Sequence, residues 1–127
     1  MRVAAIIIKD DKILLIHRIK NGQEYYVFPG GGVKEDESLE EALIREIKEE
    51  LTLDIKVFKQ VFNITNQGRE ESYFLIQEYD GTPQLNGEEK ERMNENNQYT
   101  PVWIKVSEAI NLQNLYPKEA REKLWTI

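Results

Sequence analysis

The stretch from Gly30 to Leu53, GGGVKEDESLEEALIREIKEELTL, sets three glycines ahead of eight carboxylates. Like charges packed this closely repel, so they are either spread over water or gathered round a cation. Spacing sorts them. Ser38 followed three residues later by Glu41 is a capping box, which predicts a helix from Ser38 to about Leu51. At about 100° per residue, Leu39, Leu43, Ile47 and Leu51 form one apolar stripe aimed at a core. Glu46, Glu49 and Glu50 fall at the border of that stripe, within roughly a quarter of the circumference. Arg45 stands four residues before Glu49, where the two can pair. Three carboxylates on one narrow face destabilise each other without a counter-ion, and the apolar border raises the cost. Oxygen donors of this kind suit a hard divalent cation, Mg²⁺ or Mn²⁺. A solvated acidic face and a protein-interaction helix are the alternatives that spacing leaves open.

The flanking sequence reads as strands. RVAAIII (2–8) and KILLIHR (12–18) are apolar and β-branched, separated by the turn-like KDD. NGQE is a turn, and YYVFPG a short strand stopped by Pro29 and the glycines, which read as a loop. DIKVFKQVFNI (54–64) and ESYFLIQEY (71–79) form a long strand pair through TNQGRE. DGTPQLNGEEKERMNENNQYT (80–100) is polar and turn-rich, a long loop with room for a little helix. PVWIKV is a strand, SEAINL a short helix, and YPKEAREKLWTI a helix begun by Pro117. With no repeat and no linker, residues 1–127 read as one mixed α/β domain.

Composition narrows the function. A hydrophobic content of 40% with 31% charged residues is that of a soluble globular protein. The absence of cysteine excludes disulfides and thiolate metal sites and agrees with a cytoplasmic location. No apolar run is long enough for a membrane span. A net charge of −6 argues against general nucleic-acid or anionic-membrane binding, yet an acidic protein can act on phosphates where a metal inverts the local sign.

Gly31, five residues, Glu37, seven residues, then Arg45-Glu46-Ile47-Lys48-Glu49-Glu50 resembles the signature of the Nudix hydrolases, G-x5-E-x7-R-E-U-x-E-E-x-G-U, with U a bulky aliphatic residue. Only Thr52, standing where the last glycine is expected, departs from it. YYVFPGGG and PVWIKVSEAINL also look like this family, so the likeness spans most of the chain. The resemblance implies a Nudix α/β/α sandwich, a mixed β-sheet flanked by helices. It implies hydrolysis of a pyrophosphate bond in a nucleoside diphosphate linked to another moiety. Glu46, Glu49 and Glu50 would be metal ligands, joined by Gly30 through its carbonyl; Glu37 would orient the loop, and Arg45 would hold the carboxylates. Gly30, Gly31 and Gly32 would let backbone approach a metal-bound phosphate, and Arg18 would face the substrate phosphates. The general base would be Glu49 or a loop residue, Glu88, Glu89 or Glu91. The size of the chain slightly favours a nucleoside triphosphate of the MutT type over ADP-ribose, nucleotide sugars, dinucleoside polyphosphates and capped RNA, which the resemblance leaves open, acted on by a monomer or homodimer. A catalytically silent nucleotide-binding module is the second reading, against which the intact carboxylates weigh.

Thr52 tolerates a left-handed helix cap poorly, so the helix is expected to end differently there, with Thr52 extended. His17 alternates to the face opposite Arg18 and reads as a packing or exposed residue. Tyr25, Tyr26 and Phe28 read mostly as core, with one free to stack on a base. NENNQY (94–99) reads as a polar loop, Trp103 and Trp125 as packing residues, and the charges of the last helix as a solvated face.

Overall fold

The computed structural model describes residues 1–85 and 93–127. Three two-residue turns set the strand pairing. Asp10-Asp11 joins β1 (Arg2–Lys9) to β2 (Lys12–Lys20), and Asn21-Gly22 joins β2 to β3 (Gln23–Val27). Gln67-Gly68 joins β5 (Asp54–Asn66) to β6 (Arg69–Asp80). All six residues have positive φ, the backbone of the type I′ turns that match the natural twist of a hairpin.

β1 organises the sheet. It touches β2 only at Ile8–Ile13 and Lys9–Lys12, then diverges to pair in parallel with β6 from Arg2–Glu71 to Ile7–Ile76. One leaf is thus β1, β6, β5 and a short strand β4 (Gly30–Gly32); the other is β2 with β3, β7 (Asn97–Lys105) and β8 (Leu115–Tyr116). Both faces of β1 are covered, which is why its sequence is continuously apolar rather than alternating. Val3, Ala5 and Ile7 join Leu43, Ile47 and Leu51 of helix α1 (Leu39–Leu51). Ala4 and Ile6 join Ala109 of α2 (Val106–Ala109), Ala120 of α3 (Lys118–Lys123) and Leu124 of the 3₁₀ turn after it. The result is the expected sandwich of a mixed sheet between helices.

The capping box forms as expected, with Ser38 Oγ accepting from Glu41 N at 3.1 Å and Glu41 Oε1 accepting from Ser38 N at 2.9 Å. Five expectations need correction. The glycines are a strand rather than a loop: β4 pairs antiparallel with the start of β1, Arg2 with Gly32 and Ala4 with Gly30. Thr52 is not extended; it caps α1 in the left-handed region (φ 62°, ψ 29°), its N–H bonded to Lys48 O. Its hydroxyl donates to the Gln84 carbonyl at 3.1 Å, which helps hold it there. β7 begins at Asn97 rather than Pro101, because among the described residues β7 pairs with β2 alone and proline is tolerated on an edge strand. Trp125 does not pack; it is 74% exposed. Arg121 leaves the solvated face of α3, being 6% exposed with Nη1 donating to the Leu112 carbonyl. Among the described residues, no helix is long and apolar enough to cross a membrane.

Candidate active site

Arg45 ties the acidic helix to the glycine strand. Its Nε donates to Glu37 Oε2 at 2.6 Å and its Nη2 to Glu37 Oε1 at 2.7 Å, a two-pronged pairing. Nη2 also reaches the Gly32 carbonyl at 3.0 Å. Nη1 divides between Glu46 Oε1 at 2.9 Å and Glu49 Oε2 at 3.2 Å. A guanidinium has five N–H donors, and all five are used. The hydrogen bonds from Arg45 hold the Glu37 carboxyl down at about 2, against desolvation and with help from the Lys34 N–H. In return Glu37, then Glu46, pushes the Arg45 guanidinium up. Glu37 is therefore an anchored anion between loop and helix.

The glycines have separate reasons. A Cβ at Gly31 would stand 2.2 Å from Glu46 Oε2, so that carboxylate occupies the space a side chain would need. A Cβ at Gly30 would stand 2.1 Å from the Val3 carbonyl oxygen, so close pairing with β1 requires glycine there. At Gly32 nothing lies within 4 Å of the added atom. The room at Gly30 and Gly31 is taken by the protein, and Gly32 is the open position of the three. Gly30 N donates to Glu50 Oε1 at 3.0 Å, which turns Glu50 toward β4.

Glu50 and Gly30 line a cavity of about 280 Å³ together with Arg2, Arg18 and Tyr99. A second space of about 240 Å³ continues past Arg2 and Arg18 to Tyr25, Arg69 and Glu71. Each is near the small end of the roughly 300–1,000 Å³ common for small-molecule sites. Arg18 stands at the junction: Nη2 donates to Asn97 Oδ1 at 3.1 Å, and the guanidinium lies 4.8 Å over the Tyr99 ring and 5.9 Å over Tyr25. Its buried Nε–H has no hydrogen-bond partner among the described residues.

The expected residues thus fall into one region. Glu37, Arg45, Glu46 and Glu49 form one network, and Glu50, Gly30 and Arg18 line the adjoining cleft. Glu88, Glu89 and Glu91 lie outside the described residues. Among the described residues no three acidic side chains converge closely enough to hold a metal as they stand. His17 packs on Tyr26 with ring centroids 4.9 Å apart, and its Nε2 is 3.0 Å from Glu24 Oε1. Phe28 is core and also forms part of the cleft wall, and Tyr25 lines the cleft beside it. Asn97 and Tyr99, read within a polar loop, belong to β7 and hold Arg18.

Sequence reasoning passed over Arg2, Arg69, Asn66 and Glu71. Glu71 carried a signal: a charged residue two places before Tyr73, on the face of a strand that alternation directs inward. Tyr73 Oη donates to Glu71 Oε1 at 2.9 Å and Asn66 Nδ2 to Glu71 Oε2 at 3.2 Å. Burial first, then the Glu71 charge, pushes the Tyr73 hydroxyl up, so it stays protonated and donates.

A mixed sheet covered on both faces, with an acidic helix strapped to a glycine strand at the head of a cleft, defines a known class of domain. The chain belongs to the Nudix family, whose NUDIX domain model matches residues 1–125. It is 44% identical over 61 residues to the CTP pyrophosphohydrolase of Escherichia coli K12, a match covering 46% of this chain and 45% of that protein. It is 47% identical over 49 residues to the RNA pyrophosphohydrolase of Marinomonas sp. MWYL1, covering 39% of this chain and 30% of that protein. The chain thus spans less than half the length of these curated relatives. The solved E. coli ORF135 protein superposes with a TM-score of 0.78 at 31% identity, over 98% of this chain and 87% of that one.

Proposed function

We propose that this chain hydrolyses a pyrophosphate bond in a nucleoside diphosphate linked to a further group, with a nucleoside triphosphate as substrate. The observation that carries the reading is the cavity shared by Glu50, Arg2 and Arg18. Guanidinium groups bind phosphate oxygens directly; a carboxylate does so only through a cation. Glu46, Glu49 and Glu50 would hold Mg²⁺ or Mn²⁺, which their oxygen-only donor set fits. Bound there, the ion supplies charge neutralisation at the pyrophosphate and a lowered pKa for a coordinated water. Arg45 holds Glu46 and Glu49 in orientation. Arg18, fixed by Asn97 and the Tyr99 ring, offers its unpaired Nε–H to a phosphate oxygen. Glu49, whose side chain is 54% exposed, would accept the proton of the attacking water. The relatives named for CTP and RNA pyrophosphohydrolysis support the bond cleaved and differ in what carries it.

The test is phosphate or pyrophosphate release across a panel of nucleotides with Mg²⁺, Mn²⁺ or EDTA, with Glu50→Gln as control. Metal-dependent turnover lost in the variant is the expected result. Measurable nucleotide binding without turnover of any substrate would instead favour a sensor module.

A further inference from the structure

Past Arg18 the cleft ends at a carboxylate that the hydrolytic reading does not use. Glu71 is 2% exposed yet lines the distal cavity. A carboxylate so enclosed ordinarily has a cationic partner. Here both of its donors, the Tyr73 hydroxyl and the Asn66 amide, are neutral. Arg2, its neighbour across the β1–β6 pairing, donates to the Phe28 carbonyl at 3.3 Å and makes no ion pair with it among the described residues. A carboxylate offers about four acceptor positions. Among the described residues two are filled, one on each oxygen, which leaves one position on each. Side by side they form a fork whose complement is a group with two parallel N–H donors.

Arg69 lines the same cavity, two residues earlier on β6 and therefore on the same face as Glu71. Its guanidinium complements a pair of adjacent acceptors. Among the common nucleobases, guanine joins both features: N1–H and the 2-amino group lie side by side, and O6 and N7 form the acceptor pair that arginine reads. Adenine and cytosine set a ring acceptor beside their amino group, which would face the second carboxylate oxygen. Uracil and thymine flank one N–H with two carbonyls.

We propose that Glu71, with Arg69, is a specificity-determining residue that selects a guanine base in the distal half of the cleft. The inference rests on the nucleotide reading above, and places the phosphates on the side of Arg18 and Glu50. Its test separates the two. Equilibrium binding of GMP, IMP, AMP, CMP and UMP to the full chain is measured in EDTA, where neither metal nor turnover contributes. IMP lacks only the 2-amino group. Loss of one hydrogen bond to a charged acceptor is expected to weaken IMP relative to GMP by about tenfold to a hundredfold. Glu71→Gln is expected to bring GMP and IMP within about threefold of each other, because a carboxamide keeps one acceptor oxygen and sets an NH2 donor in place of the other, so N1–H and the 2-amino group can no longer both be accepted. In kinetics with Mg²⁺, the same variant lowers kcat/KM for GTP far more than for ITP. A merely structural role would lower both alike. Equal binding of GMP and IMP by the unaltered protein, or no preference for GMP over the other three, overturns the proposal without any variant having to fold. Preferential GMP binding with no triphosphate hydrolysed sinks the hydrolase reading and upholds this one. Hydrolysis of all bases alike does the reverse.

Discussion

Arg45 is the residue on which the acidic helix depends, because its one guanidinium pairs with Glu37, Glu46 and Glu49 together. Lysine keeps the charge but has three donors on one nitrogen, and it cannot grip Glu37 with two prongs while reaching Gly32. Arg45→Lys is therefore expected to lower stability by about 1–3 kcal/mol and turnover by more than tenfold, as read from urea midpoints and phosphate release. Glu37 makes the same network visible through pH. Its folded-state value, about 2, lies below the ordinary 4.5, so the unfolded chain takes up the proton first. The stability this carboxylate contributes is complete above about pH 4.5 and is lost as pH falls toward 2. An acid titration followed by circular dichroism should decline less steeply across that window in Glu37→Gln. Identical slopes would show that the pairing with Arg45 contributes nothing. Gly31→Ala would push a methyl into the Glu46 carboxylate, and the expected result is loss of turnover with the fold retained.

At the scale of the element, α1 was the most legible part of the chain. Cap, stripe and charge positions all follow from a period of 3.6 residues, and the whole Arg45 network lies within residues 32–49. Its end was misread because a β-branched residue disfavours the left-handed region, a local rule that a tertiary contact overrides. Thr52 stays there with its hydroxyl on Gln84, 32 positions away, which no local pattern announces. Valine keeps the shape and the backbone cost but lacks the hydroxyl, so Thr52→Val should lose about 1 kcal/mol. Glycine removes a left-handed cost of about 1–2 kcal/mol, but loses the hydrogen bond and gains unfolded-chain freedom worth about 0.4–1 kcal/mol. Thr52→Gly should therefore unfold near the wild-type urea midpoint, and a Val variant at least as stable would remove the hydroxyl from the account. The strand character of Gly30–Gly32 was hidden for the opposite reason. Glycine has low strand propensity, and only the close approach of β1 makes it the residue required.

For the whole molecule, the two cores meet on β1, where Ile6 and Ile7 point to opposite faces. Each is fully buried, and truncation of either to alanine should cost about 2–5 kcal/mol. If the sheet couples the faces, both variants unfold in one transition with an unchanged urea slope. Separate transitions would mean that the helices on each side report on independent units. The cleft belongs to this scale, and for that reason half of it escaped sequence reading. Arg2, Arg18, Arg69 and Glu71 come from three strands, and each alone is an ordinary charged residue. Only the divergence of β1 from β2 opens the space that all four line.

That parallel pairing of β1 with β6 also orders events during synthesis. Arg2 must wait for Glu71, almost seventy residues on, before its backbone ladder can close. The motif-bearing helix leaves the ribosome early, yet the surface its apolar stripe packs against is completed only by Phe74 and Ile76. A nascent chain stopped before β6 would hold every residue of the signature but lack the β6 part of the core against which α1 packs. Such non-local closure places folding in the slower range for domains of this size, and protease resistance of stalled chains should appear only after β6 has cleared the exit tunnel.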